Sequence, residues 1–218
     1  EQGEQGNQEN QIREAFSFAS FANFSFNYKK AELHLGLRRE SIILDFYNFG
    51  TTDFARTGKN LSSASNKIIV WLPGASLTYT LNPNNTFFLG LHKGFSPPGM
   101  PNTSSNTQAI SETAFNYELG YRLNNRKNTQ LQAVVFRSDY TNLLGSDNVS
   151  GGGMGTGELF NAGKALVQGL ELSGLYLLKM AKAPSVLFPV QMSYTYTQAT
   201  FAKTFINGRG DWGCGQIN

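Results

Sequence analysis

The sequence predicts an all-β chain, a segment of an antiparallel transmembrane β-barrel with eight strands, and three observations carry that expectation. The first is a period of two sustained beyond the length of an ordinary strand. In "REAFSFASFANFSFNY" (13–28), Phe16, Phe18, Phe24, Phe26 and Tyr28 share one parity. Ala15, Ser17, Ala19, Asn23, Ser25 and Asn27 hold the other, with Phe21 the large exception. Side chains that alternate in this way define a strand. Strands of soluble domains usually run about 5–6 residues, and this one is long enough to cross a bilayer at a tilt. The second observation is composition: 40% apolar and 15% charged residues, with 23 Gly, 17 Phe and 9 Tyr among 218, is low in charge for a soluble surface. No run of about 18 apolar residues exists, which excludes a helical span, but barrel strands leave no such run. The mean hydropathy of −0.30 is therefore compatible with a membrane. The third is the alternation of short and long connections, the pattern of barrels with tight inner turns and extended outer loops.

Taken in order, the first strand turns at Lys29 and Lys30 into "AELHLGLRRE", where Ala31, Leu33, Leu35 and Leu37 alternate with Glu32, His34, Gly36 and Arg38. A long polar connection is expected over 41–66. "KIIVWLPGASLTYTL" then sets Trp71, Pro73, Ala75, Leu77, Tyr79 and Leu81 on one face, with Pro73 expected at a bulge because it cannot donate to a ladder. "NPNN" (82–85) reads as a tight turn, and "TFFLGLHKGF" returns with Phe87, Leu89 and Leu91 opposing Phe88, Gly90 and His92. After a polar connection over 96–112, "TAFNYELGYRL" points Phe115, Tyr117, Leu119 and Tyr121 outward and Asn116, Glu118, Gly120 and Arg122 inward. In "TQLQAVVFRSDY" two apolar sets compete. Taking Val134, Phe136 and Tyr140 as outward, against Leu131, Ala133 and Val135, leaves Arg137 and Asp139 inward. A glycine-rich connection (141–163) precedes "KALVQGLELSGLYLL", where Leu170, Leu172 and Tyr176 oppose Gly169, Glu171 and Ser173. A connection of intermediate length (179–189) leads to "VQMSYTYTQ", with Val190, Met192, Tyr194 and Tyr196 against Gln191, Ser193, Thr195 and Thr197. Tyr28, Tyr79, Tyr121 and Trp71 are expected near strand ends, where amphipathic rings favour the membrane boundary.

Several function classes drop out. A net charge of +3 with scattered Lys and Arg gives no nucleic-acid footprint. "GRGDWG" is no nucleophile elbow, the two histidines lie on separate strands, and "GGGMGTG" (151–157) lacks the Lys-Ser or Lys-Thr of a phosphate loop. Neither an enzyme nor a resident cofactor is expected. The single Cys214 is either a buried or free thiol or has a partner outside these residues. The opening "EQGEQGNQEN" is no signal peptide, so a mature chain or an excerpt of a longer one is expected. A soluble sandwich fits poorly, since the polar second faces would leave its sheets without a dry core. The rival is a small closed eight-stranded barrel acting as an adhesin or structural envelope protein.

"GLHKGFSPPGMPN", "ETAFNYELGYR", "LQAVVFRSDYTNLL" and "GKALVQGLELSGLY" together resemble the barrel of TonB-dependent outer-membrane receptors, most like the ferric dicitrate receptor group, over residues 13–212. The resemblance implies a 22-stranded barrel closed by an N-terminal plug, located in the bacterial outer membrane. It also implies import of a metal chelate, ferric citrate first and nickel or another metal complex next, with energy delivered through TonB. Residues 1–218 would then be a partial barrel domain, with about a third of the strands and neither plug, TonB box nor closing aromatic strand. The implied partners are the chelate, TonB by way of a plug outside this chain, and outer-membrane lipid with its lipopolysaccharide.

An anionic chelate needs a cationic, partly desolvated rim where guanidinium groups fork onto carboxylates. Parity and direction nominate Arg13 at the start of strand one, Arg38 at the end of strand two, His92 at the end of strand four and Arg137 at the end of strand six. All four are expected to face inward at the outer mouth. The competing role for such residues is pairing with lumen carboxylates such as Glu32, Glu118 or Glu171 or, for Lys93 and Arg39, with lipopolysaccharide. The outer loops 41–66, 96–112 and 141–163 are expected to fold over the bound chelate.

Overall fold

Asparagine and lysine turns set the hairpins. Lys29, at a φ of 54°, takes the left-handed conformation that a two-residue hairpin turn requires, and Lys30 Nζ donates to the Leu81 carbonyl on the next hairpin (2.6 Å). Asn82 Oδ1 accepts from the Asn84 amide (3.0 Å) and from Asn85 Nδ2 (2.8 Å). Asn125 Oδ1 accepts from the amides of Lys127, Asn128 and Thr129 at 2.9–3.0 Å. Each asparagine supplies from its side chain the acceptor that the bent backbone lacks.

A computed structural model describes residues 9–101, 110–125, 127–146, 159–161, 163–180 and 183–202. Cys214, the 151–157 glycine run and the centres of two expected outer loops lie outside the described residues. The strands are β1 (Gln11–Tyr28), β2 (Ala31–Asn48), β3 (Ser62–Asn82), β4 (Asn85–Ser96), β5 (Glu112–Asn124), β6 (Thr129–Thr141), β7 (Leu144–Ser146), β8 (Leu159–Asn161), β9 (Lys164–Met180) and β10 (Ala183–Phe201). Eight of them form one antiparallel sheet in the order β1-β2-β3-β4-β5-β6-β9-β10, and β7 and β8 pair separately between β6 and β9. This is the all-β meander that the alternation predicts. Closure of eight strands into a small barrel would require β1 to pair β10, and these stand at opposite edges of the open sheet.

One face of the sheet is apolar and uncovered. Phe16, Phe18, Phe24, Phe26 and Tyr28 of β1 are 55–71% exposed, and Leu35, Leu77, Leu89, Leu119 and Val135 follow them on successive strands. Moving one such side chain from water into hydrocarbon is worth about 1.5–3 kcal/mol, so this face requires a lipid-like environment. Near the tight-turn end the Tyr121 ring packs tilted by 43° against Phe87, centroids 5.1 Å apart, and its hydroxyl donates to Asn85 Oδ1. This is the polar tip and apolar body that a membrane boundary favours.

Five sequence expectations change. The connection over 41–66 shrinks to 49–61, because β2 runs on to Asn48 and β3 starts at Ser62. Trp71 is consequently mid-strand. Pro73 sits in unbroken register opposite Leu37, with no bulge; it is the first residue beyond the β3–β4 ladder, where no donor is needed on that side. The parity chosen for β6 is reversed: Val135 pairs Leu119 on the apolar face, while Val134 is buried and Phe136 opposes Glu118 on the polar face. The 179–189 connection is largely strand, with a register irregularity between Ala183 and Leu187.

The extended β2–β3 ribbon holds the only buried apolar cluster among the described residues. Ile42, Leu44 and Ile68 pack on the polar-face side, with Phe95 and Met100 laid against them. Its tip is tied down by the buried Asn10, which donates to the Asp53 carbonyl (2.8 Å) and accepts from Arg56 Nε (2.8 Å).

Candidate functional site

The polar face carries the groups that can meet a solute. Register lines up Asn23, Gly36, Gly74, His92 and Asn116 across five strands, and next to them Ser25, His34, Ser76, Gly90 and Glu118. Gly36 and Gly74 leave a floor without side chains. Above it opens a depression of about 480 Å³ with His34, His92 and Glu118 in its walls. A second, of about 420 Å³, adjoins it and is lined by Phe21, Arg38, Leu72 and His92. Glycines elsewhere on this face accept neighbours instead: the Glu118 side chain lies over Gly90, the Phe88 ring over Gly120 and the Phe136 ring over Gly169. Arg122 caps Phe88, its guanidinium carbon 5.2 Å from the ring centroid, and donates from Nε to Gln132 (3.0 Å).

Of the four nominated residues, two come together. Arg38 and His92 line the same depression. Arg38 is partnered by Glu40, two residues along the same strand, rather than by Glu32, Glu118 or Glu171. Its Nε donates to Glu40 Oε1 at 2.6 Å, with the Glu40 side chain 7% and the Arg38 side chain 51% exposed. The buried carboxylate fixes the guanidinium while half of it remains open to the trough. Arg13 shares the face but opposes Phe46, eight residues further along β2 than Arg38, which is about 26 Å away along the strand. It donates to Gln11 Oε1 (2.9 Å) and lies over the Phe46 ring at 5.6 Å. The expectation of four groups at one level is corrected because β1 and β2 outrun the predicted hairpin. Arg137 is on the other face. It opposes Tyr117 and pairs with Asp139 at 2.9 Å.

One arrangement escaped the sequence reading. Ser25 Oγ lies 2.8 Å from His34 Nδ1, and His34 Nε2 lies 3.2 Å from Glu32 Oε1. The signal was available, since a two-residue turn at 29–30 forces Ser25 opposite His34. The serine lies on a flat strand, without the sharp turn that presents a nucleophile beside oxyanion donors, so the series orients His34 toward the trough. Among the described residues no three His, Cys, Asp or Glu side chains gather as a metal set.

The loop over 49–61 is firmly built. Asp53 accepts from the amides of Thr57 and Gly58 (2.9 Å each) and from Thr57 Oγ1 (3.0 Å). These bonds, the Thr57 amide first, hold its carboxyl below the usual 3.8, against the opposing effect of burial.

Comparison with known proteins agrees with this geometry. The ferric yersiniabactin uptake receptor FyuA of Yersinia pestis superimposes with a TM-score of 0.67 at 18% identity, over 88% of this chain and 28% of that one. The siderophore receptor PiuA of Acinetobacter baumannii gives 0.66 at 18% identity, over 87% and 26%. The ferric-catecholate import receptor Fiu of E. coli K12 gives 0.62 at 21% identity, over 94% and 31%. The chain thus spans between a quarter and a third of these receptors. No curated relative matches it by sequence. The family model "TonB dependent receptor-like, beta-barrel" matches residues 2–213. With an open antiparallel sheet, one face apolar and the other polar over a glycine floor, the chain belongs to the TonB-dependent receptor-like β-barrel family of the bacterial outer membrane.

Proposed function

We propose that the chain forms part of the barrel of a receptor that imports a metal chelate by TonB-coupled active transport, an iron complex first and ferric citrate as its leading candidate. In this reading residues 1–218 are a partial barrel domain, and the remaining strands, the plug and the contact with TonB come from outside it. The carrying observation is the meeting of Arg38 and His92 on the polar face, above the Gly36–Gly74 floor. A guanidinium already oriented by buried Glu40 loses little freedom when its open N–H groups fork onto a carboxylate. His92 offers a second donor at the same wall. Arg13, further out, suits first contact with an anion rather than the same bound pose. The likeness to structures of siderophore receptors supports the iron class and does not distinguish citrate from other chelators.

The test is binding and uptake of radiolabelled ferric citrate, a ferric catecholate and nickel citrate by cells carrying the full receptor. Arg38→Gln is expected to weaken binding of the carboxylate chelate about tenfold or more, as loss of one charge-assisted hydrogen bond implies. His92→Gln should cost less, and Arg137→Gln should leave transport unchanged. Uptake of no chelate, or uptake indifferent to Arg38 and His92, would sink the reading.

A further inference from the structure

Phe21 breaks the parity of β1. It is the large side chain among Ala15, Ser17, Ala19, Asn23, Ser25 and Asn27 on the polar face, and it is 71% exposed. Two other rings on that face are covered: Phe88 lies over Gly120 and beneath the Arg122 guanidinium, and Phe136 lies over Gly169. Phe21 has neither kind of cover. It opposes Arg38 instead of a glycine, and the glycine diagonal to it, Gly36, already has the Asn23 side chain above it, with Oδ1 3.0 Å from where a Cβ would stand. Arg38 does not cap the ring as Arg122 caps Phe88, because its guanidinium is turned along β2 onto Glu40. Among the described residues no cation lies over Phe21.

Register chooses the neighbours of this ring. Arg38 stands directly between Phe21 on β1 and Leu72 on β3, and all three line the depression of about 420 Å³ together with His92. Strands about 4.8 Å apart put the ring, the guanidinium and the leucine side chain within about 10 Å of one another. An anion that forks onto the open side of Arg38 must therefore lie against Phe21, Leu72 or both. A ligand that is carboxylate throughout would leave these two apolar surfaces wet. One with a flat ring beside its carboxylate would cover them.

We propose that Phe21 is a specificity-determining residue of the chelate site, and that the preferred cargo is a metal chelate whose organic ligand carries an aryl ring beside a carboxylate. The carboxylate takes the open N–H groups of Arg38, and the ring packs offset or edge-on against Phe21 with Leu72 on its far side. The Gly36–Gly74 floor leaves room for the flat group to lie along the wall. This inference rests on the Arg38–His92 depression being the chelate site, and it narrows the class of chelate. Ferric citrate, aliphatic throughout, meets the charge of Arg38 and leaves Phe21 in water.

The test uses the full receptor in nanodiscs and two probes, the ferric complex of citrate and that of citrate bearing a benzyl amide on one terminal carboxyl. Equilibrium binding is read with radiolabelled iron. The wild type is expected to bind the benzyl complex about tenfold more tightly, the scale of one added aromatic contact. F21A should abolish that preference, F21W should keep it, and R38Q should weaken both complexes alike. In F21W the added indole should be quenched by iodide in the empty receptor and shielded once the benzyl complex is bound. Equal binding of the two complexes by the wild type, or a preference that survives in F21A, would overturn the proposal while leaving the chelate site itself standing. An indole shielded from iodide before any chelate is added would overturn it too, since a segment from outside this chain would then cover the ring. Binding of neither complex, or binding of both that is indifferent to R38Q, would overturn the proposal together with the reading on which it rests.

Discussion

The two halves of β2 make opposite use of one strand. From Ala31 to Leu37 the leucines point to the face exposed over the whole sheet, and Glu32, His34 and Arg38 point to the polar side. Further on, Ile42, Leu44 and Phe46 occupy the polar-side parity and are buried, Ile42 and Leu44 beneath Phe95 and Met100, while Ile43 keeps the outward parity. Register with β1 and β3 continues without a shift through both halves, so no bulge rotates the strand. The inversion is written in side chains alone. A strand in lipid must be apolar outward, whereas a strand standing in water beyond the membrane must bury its apolar side under its own loops. The switch over residues 38–41 therefore marks where the hydrocarbon ends.

Breaking the outer half should have the largest effect. Leu44→Ala removes a side chain that is 7% exposed, at a cost of about 2–5 kcal/mol. The expected reading is faster hydrogen exchange confined to 40–70, with unchanged membrane insertion. Leu35→Lys attacks the other half and should cost about 2–4 kcal/mol of barrel stability at mid-bilayer depth, seen as a lowered heat-modification temperature with the outer ribbon intact. If each substitution damaged both halves equally, the division would fail. Gly120→Ala sharpens the picture of the polar face, because its Cβ would collide with the Phe88 ring. A loss of about 1–3 kcal/mol is expected, recovered in part by Phe88→Ala.

The smallest effect is local and set by pH. Asp53 has a folded pKa below its ordinary value, so its contribution to the 49–61 loop is fully present above about pH 4. That contribution fades as pH falls through the lower folded value. Exchange protection of the Thr57 and Gly58 amides should therefore persist at pH 5 and be lost only in acid stronger than the ordinary carboxylate value. In Asp53→Ala the protection should be missing throughout.

Much of this fold was legible because lipid imposes one parity over many residues: Phe16 to Tyr28 and Leu33 to Leu37 needed only a period of two. The outer ribbon was not legible as strand, since Ile42, Leu44 and Phe46 continue the alternation on the opposite parity and resemble a break. In β6 both parities are apolar, and only pairing with β5 decides between them. Phe136 is spent inside, over Gly169, a use of an aromatic that no single-strand pattern reveals. The site inherited these errors. Arg38 and His92 come to line one depression because their hairpins turn where asparagine and lysine dictate, Arg13 is displaced by the longer ribbon, and Arg137 crosses to the apolar face with its strand.

The most direct test of the inversion is a nitroxide scan along β2, one labelled cysteine at a time from 33 to 46, in nanodiscs containing the full receptor with Cys214 replaced by Ser. Accessibility to oxygen should be high at 33, 35 and 37 and fall by 41, while 42, 44 and 46 should be shielded from both oxygen and a water-soluble nickel chelate. Oxygen accessibility continuing at 41, 43 and 45, or positions 42, 44 and 46 open to the nickel reagent, would contradict a boundary at 38–41.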